Sequence, residues 1–332
     1  MLSVEQARKQ ILQGIEPLHT AEKLSLRNAL GRVLATDITS PISVPGHTNS
    51  AMDGYALSGE DLPQDSVRNY QVIGQSFAGK PFNGQCTTGQ CVRIMTGAVM
   101  PGGTDTVIMQ EHVEVTGKDS VRIGDGHRTG QNVRLAGEDI TAGATVLQAG
   151  HTLTPADLGI LSSLGIGEVR VRRRPRVAFF STGDELRSLG EPLAEGDIYD
   201  SNRYSLYGML KRLDVEVIDM GVVRDDESSL RQAFIDAAAI ADVVITSGGV
   251  SVGEADYIKP ILEETGEIHF WKIAMKPGRP LTHGRVGNSL FFGLPGNPVA
   301  VMVTFYQFVQ PALQYLSGAQ PQPPLTIMAT ST

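Results

Sequence analysis

The sequence has little with which to build a covalently stapled, nucleic-acid-binding or membrane-spanning protein. Only two cysteines, Cys86 and Cys91, occur in 332 residues, too few for a disulfide framework in a chain of this length. Aromatic residues make up 6%, which argues against a base-stacking platform. Lys and Arg number 28 against 36 Asp and Glu, a formal net charge of -8. Neutralising phosphates along a nucleic acid needs clustered positive charge, so no nucleic-acid partner is expected. No apolar run reaches the length of a membrane span, and the N-terminal segment lacks the charged and apolar regions of a signal peptide. A cytoplasmic protein with no membrane partner is the expectation. What the chain does have is glycine, 37 residues of it, and hence many tight turns and close backbone approaches.

At about 150 residues per domain the length suggests two domains or more. The first 36 residues read as helical: Val4, Ala7, Ile11 and Ile15 recur at helical spacing, and Leu24 to Ala35 carries a second apolar-periodic run. From Pro41 to about Gly137 the texture changes to short alternating runs separated by Gly, Pro and Asn, the pattern of a small β-rich unit. Helical texture returns at Thr154-Pro155 and stops at Leu164-Gly165. Beyond the arginine-rich stretch 172–176, strands alternate with helices. Strands are expected at Arg176–Thr182, Val215–Met220, Asp242–Thr246, Ile268–Ala274 and Ser289–Gly293, and helices near Arg203–Leu213, Glu227–Ile240, Tyr257–Glu264 and Asn297–Ser317. Such alternation implies βαβ crossovers and a doubly wound, mostly parallel sheet.

The expected fold class is therefore multidomain α/β plus β. A helical linking domain (1–45 and 141–172) carries an inserted β-rich domain (46–140), and an α/β domain follows (173–318). The Pro- and Gln-rich segment that begins the last stretch (319–332) reads as a linker leading to a further domain.

In an open parallel sheet, ligands bind beyond the carboxyl ends of the strands. Three loops there suit such a role: Ser181–Glu185, Ser247–Asp256 and Gly293–Pro298. In the last, Asn297 can cap the following helix and Pro298 suits its first position, and free N–H groups at the helix start would favour a phosphate. Taken singly these glycines only make turns; three such loops, each ending a strand, form a pattern. Carboxylates recur beside them at Asp184, Glu185, Asp225, Asp226, Glu254 and Asp256. Acids around an anion repel it unless a hard cation intervenes, which points to Mg²⁺. Surface acids are otherwise ordinary. Lys272 and Lys276 add positive charge, on one face if their segment is extended.

Other signals lead nowhere. Gly74–Lys80 begins like a phosphate-binding loop, but Pro81 replaces the required hydroxyl residue and the context is β-rich. Gly249–Gly253 matches a nucleophile elbow, so a serine hydrolase using Ser251 is a rival, although neither His269 nor His283 sits in a partner motif. The histidines and cysteines show no zinc spacing. The arginines from Arg170 to Arg176 read as a solvated strand.

Pro45–Ala56, which contains Met52-Asp-Gly-Tyr55, resembles the signature of the MoeA family of molybdopterin molybdenumtransferases, which includes the E domain of gephyrin. The resemblance continues through Arg93–Gly97, Gly137–Ile140, Ser181–Leu186, Tyr199–Asn202, Arg224–Asp226, Ser247–Tyr257, Lys276–Gly278 and Gly293–Pro298, and so covers essentially the whole chain. It implies an α/β domain of the MogA type and insertion of molybdate into adenylylated molybdopterin, with release of AMP and help from a divalent cation. It also implies a homodimer whose site lies between domains of opposite subunits, and a MogA-like adenylyltransferase as a partner.

Carried over residue by residue, the resemblance makes Asp53, Asp139, Glu185, Asp225, Asp256, Lys272 and Lys276 catalytic. Glu185 and Asp256 become the Mg²⁺ ligands. Thr96, Ser181, Thr182, Gly183, Ser247, Gly248, Gly249, Pro295, Gly296, Asn297 and Pro298 become substrate-binding. Family members carry a further C-terminal β domain that supplies more site residues, including an arginine. A chain lacking it would keep an incomplete site, with binding retained and turnover weak. A non-catalytic scaffold role and an adenylyltransferase built on the α/β domain are the alternatives nearest to this reading.

Overall fold

In the computed structural model, residues 1–248 and 258–319 are described. The chain divides into two compact units: Met1–Thr36 together with the chain from Gln148 onward, and Asp37–Leu147.

The Asp37–Leu147 unit is built on a six-stranded sheet. Its strands run in the order Thr106–Met109, Gly54–Leu57, Gln90–Ile94, Arg68–Ser76, Ser120–Ile123 and Val113–Gly117. All neighbours are antiparallel except Arg68–Ser76 beside Gln90–Ile94. Period-two alternation sends Tyr55 and Leu57 to one face, where they pack with Tyr70, Cys91, Ile108 and Val121, while Ala56 packs on the other with Ile94 and Val107. Burial pushes the Cys91 thiol up to about 12, so it is an inert core residue. The Gly74–Lys80 segment, at the end of a strand, opens no helix.

The other unit carries a six-stranded sheet in the order Glu216–Val223, Arg176–Thr182, Val243–Ser247, Ser289–Leu294, Pro280–Val286 and Gly266–Lys272. The first four strands are mutually parallel and the last two antiparallel. The central strands are buried along almost their whole length, as unbroken apolar runs require. On one face, Phe179, Ile245 and Phe292 pack against Ile11, Leu210, Val301 and Phe305. On the other, Phe180, Val244 and Phe291 pack against Leu230, Phe234, Ile261 and Leu262. Helices Val4–Gln13, Ser201–Lys211 and Pro298–Thr304 thus lie on one side, and Glu227–Ile240 and Ile258–Thr265 on the other.

Local chemistry starts several of these helices. Asp200, Asp226, Thr154 and Asn297 each accept a hydrogen bond from a first-turn N–H as N-caps. Two expectations need correction. Leu24–Ala35 is not helical: Ala21–Ser25 is a strand paired with Glu168–Arg172, and only a short 3₁₀ turn, Leu26–Ala29, follows. Gly31 sits at φ +76°, outside any α-helix, and the buried Arg32 donates to the Arg172 carbonyl, so tertiary pairing overrides the local spacing. Pro280–Val286, unmarked by an apolar run, is a strand and turns this side of the sheet antiparallel.

Candidate active site

At the carboxyl edge of the parallel strands, backbone and side chains converge from four loops. Ser181 and Thr182 end one strand and Ser247 ends its neighbour; all three are buried. Gly248 follows at φ +91°, and a Cβ there would lie 2.6 Å from the Thr182 carbonyl oxygen, so only glycine lets the two strand ends close. Its N–H donates to the Leu294 carbonyl at 3.2 Å. Asn202, in the first turn of Ser201–Lys211, donates from Nδ2 to Ser247 Oγ at 2.9 Å and to the Gly296 carbonyl at 2.8 Å. Asn297 Oδ1 accepts from the Ala300 N–H at 3.1 Å. That cap consumes one of the helix-start donors expected to face a phosphate.

The acids gather beside this edge. Thr182 Oγ1 donates to Asp225 Oδ1 at 3.4 Å, and the Asp225 N–H donates to Asp184 Oδ1 at 3.5 Å. Glu185 lies in the same turn, with its backbone carbonyl held by the Ile198 N–H at 2.9 Å. Burial, followed by the negative charges of Asp184, Glu185 and Asp226, pushes the Asp225 carboxyl above the usual range, although the Thr182 hydroxyl works against this. Asp226 behaves oppositely. The Ser229 N–H and the Ser228 hydroxyl hold it down to about 2 as a helix cap.

Hard carboxylate oxygens under mutual repulsion are a fitting donor set for Mg²⁺, which binds through one or two carboxylates plus substrate oxygens. Among the described residues, no group of three or more His, Cys, Asp or Glu could hold a metal by itself. Gly249, Ser251 and Asp256 lie outside the described residues.

Lys272 ends its strand opposite Pro280, and both it and Lys276 are exposed. The strand stops at Lys272, so Lys276 lies beyond it, in the turn that leads to Pro280. Pro295 is buried, and Gly296, Asn297 and Pro298 are exposed at the turn. His283 is buried, its Nδ1–H donates to the Phe291 carbonyl at 3.0 Å, and desolvation drives its imidazole down to about 4, so the ring is neutral. A cavity of about 310 Å³ opens on the antiparallel side of the sheet, between Gln10, Trp271, His283 and Arg285, and holds none of the expected site residues.

In the Asp37–Leu147 unit, Asp53 and Thr96 meet. Asp53 Oδ1 accepts from the Thr96 N–H at 2.7 Å and from its hydroxyl at 2.8 Å. The Thr96 backbone first, then its hydroxyl, hold the carboxyl below its ordinary value, and the Arg93 charge adds to this. Gly54 makes the position possible. A Cβ there would stand 2.0 Å from the Ile108 carbonyl oxygen on the adjoining strand. Arg93 bridges Tyr55 Oη at 2.9 Å and Gln110 Oε1 at 2.6 Å, with its guanidinium 5.1 Å from the Tyr55 ring centroid. Asp139 is engaged elsewhere, by Arg134 at 2.5 Å, which also holds Glu138 at 2.6 Å.

Sequence reasoning assigned no task to Asn202, Asp200 or Arg93, although each lies inside a recognised motif. Among the described residues, Asp200 Oδ2, Asn202 Oδ1 and Ser181 Oγ are buried without a partner. The only available signal was an asparagine and an aspartate side by side at a helix start, which reads simply as a cap.

Comparisons with known proteins fit this layout. A family model for the MoeA N-terminal region (domain I and II) matches residues 2–165, and one for a probable molybdopterin binding domain matches residues 178–315. The chain is 48% identical over 318 residues to the molybdopterin molybdenumtransferase of Haemophilus influenzae, covering 96% of this chain and 78% of that protein. It is 42% identical over 304 residues to the molybdopterin molybdenumtransferase of a Nostoc species, covering 90% and 70%. A solved molybdopterin biosynthesis MoeA protein from Pyrococcus horikoshii superimposes with a TM-score of 0.83 at 33% identity, covering 96% of this chain and 80% of that one.

Proposed function

The chain belongs to the MoeA family of molybdopterin molybdenumtransferases, and from that premise we propose that it inserts molybdate into adenylylated molybdopterin and releases AMP. It is thus an enzyme of molybdenum cofactor biosynthesis. The observation that carries the finer reading is the set of carboxylates crowded at the carboxyl edge of the α/β sheet, with Asp225 pushed up by its neighbours.

In this reading Glu185 and Asp256 hold Mg²⁺, with Asp225 beside them. When bound, the ion supplies the divalent charge that lets a pyrophosphate approach these acids. Ser181, Thr182, Gly183, Ser247, Gly248 and the turn Pro295–Pro298 bind the substrate in this reading, together with Gly249, which lies outside the described residues. Lys272 and Lys276 attract molybdate and offset phosphate charge. Water adds at the AMP phosphorus and the pyrophosphate P–O bond breaks, giving AMP and the molybdopterin phosphate; the two dithiolene thiols bind molybdenum as a Mo–O bond of molybdate breaks and the oxide leaves as water with the two thiol protons. Asp53, which accepts from Thr96, and Asp139, which pairs with Arg134, keep in this reading the catalytic roles that the family motifs imply.

The fold in this proposal is a helical linking domain with an inserted β domain, followed by a doubly wound α/β domain; the protein is a homodimer of the cytoplasm with a MogA-like adenylyltransferase as partner. No helix among the described residues is long and apolar enough to cross a membrane. The test is to incubate the chain with adenylylated molybdopterin, Mg²⁺ and molybdate and to assay AMP. Molybdate-dependent release is expected in the native chain, and its loss in Asp256→Ala with the circular dichroism spectrum unchanged. Release without molybdate, or undiminished in the variant, contradicts the reading.

A further inference from the structure

Asn202 holds two loops at once, and its amide has only one possible orientation. The Gly296 carbonyl can only accept, so the group facing it is Nδ2, which also donates to Ser247 Oγ. The consequence falls on Ser247. This hydroxyl is 2% exposed; its oxygen accepts from Asn202, and among the described residues its own proton has no acceptor. A hydroxyl already accepting keeps its proton for donation.

Ser181 is the parallel-register neighbour of Ser247 on the adjoining strand, so their side chains leave the same sheet face about 4.8 Å apart. Ser181 Oγ is buried and has no partner among the described residues. With the Gly296 carbonyl engaged by Asn202, this stretch of the crevice offers two serine hydroxyls as donors. The two hydroxyls suit a group that accepts hydrogen bonds, as a phosphate does, while Asn202 Oδ1, buried without a partner among the described residues, suits a donor beside it. Donors at this point also offset the repulsion that Asp184, Glu185 and Asp225 would impose on such an anion.

We propose that Asn202 is a positioning residue that turns the Ser247 hydroxyl into a dedicated donor to a phosphate oxygen of the ligand, an inference that rests on the adenylylated substrate proposed above. Titration calorimetry of the full chain with AMP and with adenosine tests it. AMP should bind the native chain at least 10-fold more tightly than adenosine. Ser247→Ala and Asn202→Ala should each weaken AMP about 10-fold, the usual scale for a hydrogen bond to a charged group, and leave adenosine unchanged. The double variant should lose no more than Ser247→Ala alone, because Asn202 acts through that hydroxyl.

Additive losses, or equal losses for both ligands, would make Asn202 merely structural. AMP affinity no better than that of adenosine in the native chain, or unchanged in Ser247→Ala, overturns the phosphate contact. Should Asn202→Ala fail to fold, Ser247→Ala still decides, since it leaves the Asn202–Gly296 contact in place. AMP release on turnover is scored separately. If the ligand pattern holds without molybdate-dependent release, the proposed function fails and this contact stands; the converse result rejects the contact alone.

Discussion

Asp53 and Asp225 are both partly buried aspartates in short loops at strand ends, yet their surroundings push their carboxyls in opposite directions. Asp53 receives an N–H and an O–H from one residue, Thr96, which hold its carboxyl below the ordinary value. Among the described residues, the Asp225 carboxyl has one long hydrogen bond, from Thr182, and three acidic neighbours. A carboxylate with its hydrogen bonds supplied by the protein is a finished, fixed charge. One surrounded by like charge gains most from a cation that is not part of the chain. The β-rich unit therefore presents completed chemistry, and the α/β unit presents chemistry that a ligand must complete.

The largest effect expected is on the scaffold behind Asp53. Gly54→Ala places a methyl 2.0 Å from the Ile108 carbonyl oxygen, which belongs to backbone and cannot swing away. The strands must part, and a cost of about 3 kcal/mol or more is expected in urea unfolding of the Asp37–Leu147 unit, the upper end of overpacking effects. A loss below about 1 kcal/mol would show that this edge of the sheet yields and that Asp53 is less rigidly placed than its hydrogen bonds suggest.

A smaller effect should come from the α/β side. The Asp225 carboxyl is raised, so the folded state binds its proton more tightly than the unfolded chain does. Stability therefore falls as pH rises from the ordinary aspartate value of about 3.9 through the raised one, and stays lower above it. Asp225→Asn removes that loss. At pH 7 without divalent ions it should stabilise the protein by roughly 0.5 kcal/mol or less after solvent screening, and it should shrink the rise in melting temperature on adding Mg²⁺. A variant less stable than the native chain in metal-free buffer would mean that its neighbours do not repel Asp225.

How much of this could be read from the residues alone depends on where the information sits. Strands such as Arg176–Thr182 and Val243–Ser247 are unbroken apolar runs, and Glu227–Ile240 begins at an aspartate cap, so both stand out locally. Pro280–Val286 does not. It opens on proline and carries Thr282, His283 and Gly284, and it becomes a strand because its two neighbours supply the hydrogen bonds. Leu24–Ala35 misleads for the same reason, since its true partner, Glu168–Arg172, lies more than a hundred residues away. In the site, the acids and glycines were visible as residue types after strands, but Asp53 and Thr96 carried weight only through the family motif. The role of Asn202 needs contacts to residues 45 and 94 positions along the chain, and no local pattern encodes those.

The smallest effect belongs to Thr96→Val, which brings Asp53 part of the way towards the unsatisfied condition of Asp225. The valine keeps the backbone N–H, the larger influence on Asp53, and removes the hydroxyl. The carboxyl should therefore move up towards its ordinary value without reaching it. The sign for stability is opposite to that of Asp225. A depressed folded value contributes stability that is present above about pH 3.9 and is lost as pH falls through the folded value, so the variant should lose that contribution at a higher pH than the native chain. A carbon-13 titration of the Asp53 carboxyl should show the upward shift directly, and melting temperatures below pH 4 should fall sooner in the variant. Superimposable titrations would assign the hold on Asp53 to the Thr96 backbone alone and leave the hydroxyl free to meet a ligand.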